Sequence, residues 1–161
     1  MRQLGDIAEG RPNLGESMPV EVYRLFEMSI MDILTKEYGQ ETANDLFRKT
    51  GFQAGAVFAN KYLSKEGDFN SFVSNLQKIL SDCKIGILRI EKADLEKGEM
   101  VLTVYEDLDC SGLPVTDEQV CVYDEGFIAG ILHYFTGIVF TVREIDCWAS
   151  GDRVCRFEVK K

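Results

Sequence analysis

The residues best suited to chemistry lie in the last third of the chain, where cysteines recur around a short turn. Cys147 and Cys155 flank a turn at Ser150-Gly151, so a hairpin that closes there brings the two sulfur atoms together. Glu144 lies three residues before Cys147, and Cys121 lies 23 residues before Glu144. Zinc accepts thiolates and carboxylates in tetrahedral sites. The pattern is compatible with one zinc site formed by Cys121, Glu144, Cys147 and Cys155.

The same cysteines fit two other structures. Sulfur atoms that face each other across a hairpin can be buried thiols or can form a cross-strand disulfide. Cys121 favours the metal site, because it is predicted at a helix N-terminus, where N–H groups and the helix dipole favour the thiolate. Four protein ligands leave no position for water, so such a zinc would be structural. Spacing assigns no role to Cys110, and Cys83 is predicted as a buried core thiol.

Three helices are predicted ahead of the first strand. Ser17 followed by Pro19 predicts the start of the first helix, with Ser17 as the N-terminal cap. Gly39 predicts the end of that helix. The second helix is predicted over residues 41–63 and the third over residues 68–83, from apolar residues three and four positions apart.

From Lys84 onward, the spacing of the apolar residues changes from a period of 3.6 residues to a period of 2. Strands are predicted over residues 85–92 and 100–106, a fourth helix over 122–136, and two further strands over 139–147 and 153–159. The order of three helices, hairpin, helix and hairpin predicts an α+β fold. In it, N-terminal helices pack on a four-stranded antiparallel sheet that has a crossover helix.

Small residues recur four apart in the second predicted helix, at Gly51, Gly55 and Ala59. Glycine lowers helix stability by about 1 kcal/mol relative to alanine, so this spacing indicates close approach of another backbone. That backbone can belong to the same subunit or to a second copy. A homodimer is expected, with these three residues as the candidate interface.

Composition excludes several classes of protein. A formal charge of -9 and a pI near 4.7 disfavour nucleic acid and anionic membrane surfaces as partners. No segment is apolar enough to span a membrane and no secretory signal is visible, so a cytoplasmic location is expected. The 161 residues fit an N-terminal arm over residues 1–16 and a single domain over residues 17–161.

The last third also carries a motif that resembles the 4-vinyl reductase domain family. The motif consists of Val120-Cys121, Glu125-Gly126-Phe127, Gly130, Glu144, Cys147, Gly151-Asp152 and Cys155-Arg156-Phe157. The resemblance implies a fold similar to vesicle-tethering TRAPP subunits and to NO-signalling ligand-binding domains. It also implies kinship with sensor domains of phenol-responsive activators, in which three cysteines and one glutamate, matching Cys121, Glu144, Cys147 and Cys155, hold zinc.

The resemblance further implies an apolar pocket between helices and sheet. Its expected lining is Met100, Leu102, Phe127, Ile131, Tyr134 and Val142. The first hypothesis is a binding module for a hydrocarbon or aromatic molecule, acting as a stand-alone sensor or carrier. The alternatives are a reductase of a vinyl group and an interaction protein of the TRAPP type. An enzyme is less favoured, because no G-x-G-x-x-G phosphate loop is present and the single histidine, His133, lies within a predicted helix.

Overall fold

In the computed structural model, which describes residues 5–116 and 118–161, helices and strands follow the predicted order. The helices are α1 (Ile7–Gly10), α2 (Val20–Tyr38), α3 (Gln40–Tyr62), α4 (Phe69–Asp82) and α5 (Val122–Thr136). The strands are β1 (Ile87–Asp94), β2 (Glu99–Tyr105), β3 (Thr141–Asp146) and β4 (Cys155–Lys160). The single turn of α1 was not predicted. It lies in the predicted arm, whose first four residues are outside the described range.

The helix ends follow from local chemistry. A side-chain oxygen of Asp68 accepts a 2.8 Å hydrogen bond from the Ser71 N–H and so caps α4. Gly137 ends α5 with a φ of 72°, a conformation that glycine adopts without strain. The predicted cap of α2 was wrong: Pro19, and not Ser17, occupies the cap position, because the helix begins directly after the proline.

The thiol of Cys83 was also predicted incorrectly, since the residue is exposed and not part of the core. It follows the last turn of α4 as the C-terminal cap. The apolar face of that helix ends at Leu80, which is buried. The 3.6-residue period of buried side chains therefore stops within α4. The prediction for Cys83 was wrong because it extended this period to the residue after the helix.

The four strands form one antiparallel sheet in the order β1-β2-β4-β3. The last strand is therefore central, and Cys155, Phe157 and Val159 on it are fully buried. The helix α5 forms the crossover between β2 and β3 and packs against β3, whereas α4 packs against β1. This topology places the C-terminal hairpin beside the N-terminus of α5, as the predicted α+β fold requires.

The chain divides into two compact units, one ending at Ala43 and the other running from Asn44 to Lys161. All of the candidate site residues lie in the second unit. None of the helices in the described part of the chain is long and apolar enough to cross a membrane. The predicted division into an arm of 16 residues and one domain stays a prediction.

The stripe of small residues on α3 packs against α5 of the same chain. A Cβ atom added at Gly55 would lie 2.1 Å from the carbonyl oxygen of Phe127, and one at Gly51 would be equally close to that of Tyr123. Ala59 is fully buried within the core of the subunit. The placement of a dimer interface at these three residues was therefore wrong. Their spacing reflects close backbone contact inside the subunit, the other alternative that the sequence left open.

Candidate metal centre and ligand cavity

Four buried cysteines converge at the end of the sheet. Their sulfur atoms all lie within 4.8 Å of one another, and the four side chains have no exposed surface. They are Cys110, Cys121, Cys147 and Cys155. Three of them belong to the predicted zinc site, and the fourth, Cys110, replaces Glu144 in the converging set.

Two of these cysteines are positioned by the terminal hairpin. Cys155 begins β4, and Cys147 follows β3 directly. The carbonyl oxygen of Cys147 accepts hydrogen bonds from the N–H groups of Ser150 and Asp152, at 3.2 and 3.1 Å. Gly151, with a φ of 102°, completes the turn in a conformation that other residues rarely adopt. The turn therefore orients the sulfur of Cys147 toward the sulfur of Cys155 on β4.

Cys110 comes from the loop between β2 and α5. One Asp107 carboxylate oxygen, Oδ1, accepts hydrogen bonds from the N–H groups of Asp109 and Cys110, at 2.9 and 3.1 Å. The indole Nε1 of Trp148 donates to the carbonyl oxygen of Leu113 at 3.1 Å, which joins the same loop to the terminal hairpin. These two local structures hold Cys110 against Cys155. The sequence carried no periodic signal for them.

Glu144 borders the cysteine cluster and is itself buried. Its Oε2 accepts a 3.2 Å hydrogen bond from the N–H of Cys121, the residue that caps α5. Its Oε1 has no hydrogen-bond partner among the described residues. Burial, with a further contribution from Cys147, raises the pKa of Glu144 to about 8. A buried oxygen left unsatisfied beside four thiols is the feature expected next to a cation.

The thiols of the cluster differ in acidity because they share hydrogen bonds. Neighbouring thiols, that of Cys110 foremost, lower the pKa of Cys147 by hydrogen-bonding to its sulfur. The same crowding raises the pKa of Cys121 and of Cys155. One thiolate is therefore favoured, and further ionisation is opposed by the charge already present. A divalent cation removes this opposition, because thiolates bind metal in the deprotonated form.

Two of the sulfur–sulfur distances fit a tetrahedral metal ion. Zinc–sulfur bonds of about 2.3 Å at tetrahedral angles place the sulfurs about 3.8 Å apart. The sulfur of Cys121 lies 3.8 Å from that of Cys147 and 3.7 Å from that of Cys155. Cys110 and Cys155 are closer, at 3.0 Å. The donor set is thus able to hold a metal ion, with four thiolates as its ligands.

An apolar cavity lies between α4, α5 and the strands β1 and β2. Its walls contain four of the six predicted pocket residues: Met100, Leu102, Phe127 and Ile131. Asp107 and Asp124 supply two carboxyl groups to the lining, and both residues also belong to a close group with Cys121. Burial raises the pKa of Asp107. One end of the cavity therefore adjoins the cysteine cluster.

The other predicted pocket residues lie elsewhere. The Tyr134 hydroxyl donates a 3.2 Å hydrogen bond to the carbonyl oxygen of Leu63, at the end of α3. Val142 lines a separate groove beside β3. His133 lies in α5, where its Nδ1 is 3.2 Å from the Ile138 carbonyl oxygen, so it serves the helix end and not the cavity.

The sequence comparisons agree with the motif in the last third of the chain. Residues 100–161 match the model of the 4-vinyl reductase domain. Over 162 aligned positions the chain is 26% identical to the protein MJ0150 of Methanocaldococcus jannaschii, described as uncharacterized, covering 99% of this chain and 87% of that protein. The resemblance to 4-vinyl reductase domain proteins is thereby confirmed for the segment that holds β2, α5 and the terminal hairpin.

Three solved structures share the fold. The phenol-responsive sensory domain of the transcription activator PoxR, solved with phenol, has a TM-score of 0.71 at 16% identity, over 91% of this chain and 76% of that one. A vinyl-4-reductase family protein of M. jannaschii scores 0.63 at 19% identity, over 99% and 98%. A trafficking protein particle complex subunit 3 of Naegleria fowleri, covalently bound to palmitic acid, scores 0.70 at 14% identity, over 88% and 93%.

These neighbours confirm the predicted α+β architecture, with helices against a four-stranded antiparallel sheet. Their low sequence identity limits the likeness to the fold.

Proposed function

We propose that this chain, whose residues 100–161 match the 4-vinyl reductase domain, binds an apolar small molecule in the cavity between α4, α5 and the sheet. In this proposal it acts as a sensor or carrier for a hydrocarbon or aromatic compound. The observation that supports it most directly is the cavity lining, in which apolar side chains from two helices and two strands face one space. The reduced cysteine cluster fits a location in the cytoplasm.

The size of the cavity limits how a ligand enters. Its free volume is about 40 Å³, which is room for about three water molecules. A ring compound therefore binds only if side chains on the cavity wall move. Removing about 100 Å² of apolar surface from water contributes about 2.5 kcal/mol, which offsets part of the cost of opening.

We propose zinc as the metal in the cysteine cluster, with a structural role. The ion would join three separate segments: the loop of Cys110, the start of α5 at Cys121, and the terminal hairpin with Cys147 and Cys155. Thiolate ligands favour zinc over hard cations such as magnesium. A site closed by four protein ligands holds no water for catalysis, so the chemistry that the metal supplies is cross-linking of the fold.

Filling the cavity is expected to abolish ligand binding. Ile131 is buried in α5 and lines the cavity, and Ile131→Phe places the larger ring in the free space. A thermal-shift panel of aromatic and aliphatic compounds should raise the melting temperature of the wild type, because a ligand that binds only the folded state stabilises it. The variant should show at most about a tenth of that shift and keep its metal.

The matched control is Ile145→Phe, because Ile145 is 43% exposed on β3 and lies outside the cavity. Its ligand response should equal that of the wild type. If no compound in the panel shifts the wild-type melt, the binding proposal is wrong. A flavin that copurifies with the protein would instead favour the reductase alternative.

We further propose a homodimer, with the interface moved from α3 to α2. Helix α2 carries exposed apolar residues at positions that share one face: Val22, Leu25, Phe26 and Ile33. Leu25 is 73% exposed and Phe26 67%. An apolar stripe of this length on a surface helix is typical of an interface, and a second copy supplies the same stripe.

Phe26→Arg is expected to weaken that dimer by about 100-fold or more, because it inserts a charge into the apolar contact. Sedimentation velocity at micromolar concentration should show a dimer for the wild type and a monomer for the variant. Leu14→Arg serves as the control, since Leu14 is 76% exposed outside α2. A wild-type monomer, or a variant that stays dimeric, would contradict this assignment.

A further inference from the structure

A second cavity lies outside both the apolar cavity and the cysteine cluster. It is a groove of about 280 Å³ between α3, α5 and β3. Phe52, Ala129 and Phe140 give it apolar walls, and Arg48 and Arg143 give it cationic ones. All of the residues that line it belong to the second compact unit.

The charges in the groove are unevenly balanced. Glu125 is 6% exposed. Its Oε2 accepts a hydrogen bond from Arg48 Nε at 2.7 Å and one from Arg143 Nη1 at 3.1 Å. Lys49 pairs separately with Asp45 at 2.6 Å. Two guanidinium groups thus share one carboxylate, which leaves a local excess of one positive charge in a chain whose net charge is -9.

Glu125 fixes the geometry of the two arginines. Its other oxygen, Oε1, accepts a 2.9 Å hydrogen bond from the N–H of Glu144, so the carboxylate is tied to β3 as well as to α5. A guanidinium has five N–H donors on a rigid plane, and each arginine gives one nitrogen atom to Glu125. Arg143 is 53% exposed, so part of its donor edge faces the groove and solvent.

We propose that this groove binds a small organic carboxylate, with the anion on Arg48 and Arg143 and the apolar body along Phe52 and Phe140. A second carboxylate completes a two-to-two arrangement of guanidinium and carboxylate groups. Planar guanidinium donors match carboxylate oxygens, and a pair already held in place loses less side-chain freedom on binding. The volume suits one ring with a short substituent. This site is independent of the apolar ligand proposed above.

The test uses benzoate as the probe and benzyl alcohol as a neutral compound of similar shape. Isothermal titration of the whole protein should detect benzoate binding at millimolar concentration and at least about tenfold weaker binding of the alcohol. Arg143→Gln should weaken benzoate binding at least about tenfold, and Arg143→Lys should restore part of it. Arg89→Gln removes the same charge at a residue whose guanidinium lies over Tyr105, and it should leave benzoate binding unchanged.

Two further measurements separate this proposal from the others. In Ile131→Phe, benzoate binding should persist, whereas binding in the apolar cavity is lost. In side-chain ¹⁵N spectra, benzoate should shift the Nε–H signals of Arg48 and Arg143 and not that of Arg89. The proposal is overturned if benzoate does not bind, if benzyl alcohol binds equally well, or if both Arg143 variants, folded by circular dichroism, bind benzoate like the wild type.

Discussion

Replacing Cys155 by serine is expected to abolish stoichiometric metal binding and to lower the free energy of unfolding by more than about 4 kcal/mol. Cys155 begins the central strand, and its sulfur lies within 4 Å of two other cluster sulfurs, those of Cys110 and Cys121. Serine offers a weaker ligand and leaves a buried hydroxyl among thiols. The metal content of protein purified without chelators, measured by elemental analysis, should fall from about one equivalent to background.

The matched control is Cys83→Ser, because Cys83 is exposed at the end of α4 and lies outside the cluster. Its metal content and its denaturation midpoint should equal those of the wild type. If wild-type protein contains no metal, the zinc proposal fails. If Cys155→Ser keeps both its metal and its stability, the cluster is not the binding site.

The identity of the fourth ligand can be decided with the same measurement. We expect Cys110→Ser to reduce metal affinity more than Glu144→Gln does, because the Cys110 sulfur converges with the other three and Glu144 borders them. X-ray absorption of the zinc-loaded protein should then show four sulfur neighbours. Three sulfurs and one oxygen would restore the set of Cys121, Glu144, Cys147 and Cys155 that the family resemblance implies.

Sequence periodicity accounted well for the elements but not for the loop that completes the site. The helix predicted over residues 122–136 coincides with α5, because Gly137 ends it in the left-handed conformation. Cys110 lies in a segment without any period. Its position depends on a local hydrogen bond from its N–H to the Asp107 carboxylate and on the long-range contact between Trp148 and Leu113. A motif search based on spacing has no access to such contacts.

Two of the predicted pocket residues, Tyr134 and Val142, lie outside the apolar cavity. Periodicity indicates which face of an element is apolar, but the core has more than one apolar space. Tyr134 lies on α5 as expected, yet its hydroxyl bonds to Leu63. Val142 is buried on β3 but lines the groove and not the apolar cavity. Apolar faces were predictable from the pattern, whereas the assignment of Val142 to the groove required the positions of α3 and α5.

The four glycines between α3 and α5 show that spacing predicts a close backbone contact without identifying the partner backbone. Gly51 and Gly55 on α3 contact the backbone of α5, and Gly126 and Gly130 on α5 contact the backbone of α3. At each of these sites an added Cβ would lie within 2.1 Å of a carbonyl oxygen. Four-residue spacing indicates only that another backbone is near. Both α3 and α5 carry glycines four residues apart. The contact between these two helices within one chain explains both pairs of glycines.

Gly130→Ala is expected to lower the free energy of unfolding by about 3 kcal/mol. The new methyl group would lie 2.1 Å from the carbonyl oxygen of Phe52 and 2.9 Å from the N of Ala56, and both of these are backbone atoms that cannot rotate away. The helices must therefore separate, and the buried face of α5, which also carries Ile131, must shift with them. Alanine favours a helix over glycine by about 1 kcal/mol, so the expected loss is net of that gain. Urea denaturation followed by circular dichroism measures the effect.

Gly10→Ala provides the control, because Gly10 is helical with nothing within 4 Å of an added Cβ. It should be neutral or slightly stabilising. The experiment also separates folding from association, since contact within the subunit predicts that the loss for Gly130→Ala is independent of protein concentration. A loss that disappears as the protein is concentrated would place the glycines at an interface between two copies. A neutral Gly130→Ala variant would mean that α3 and α5 do not approach each other as closely as described.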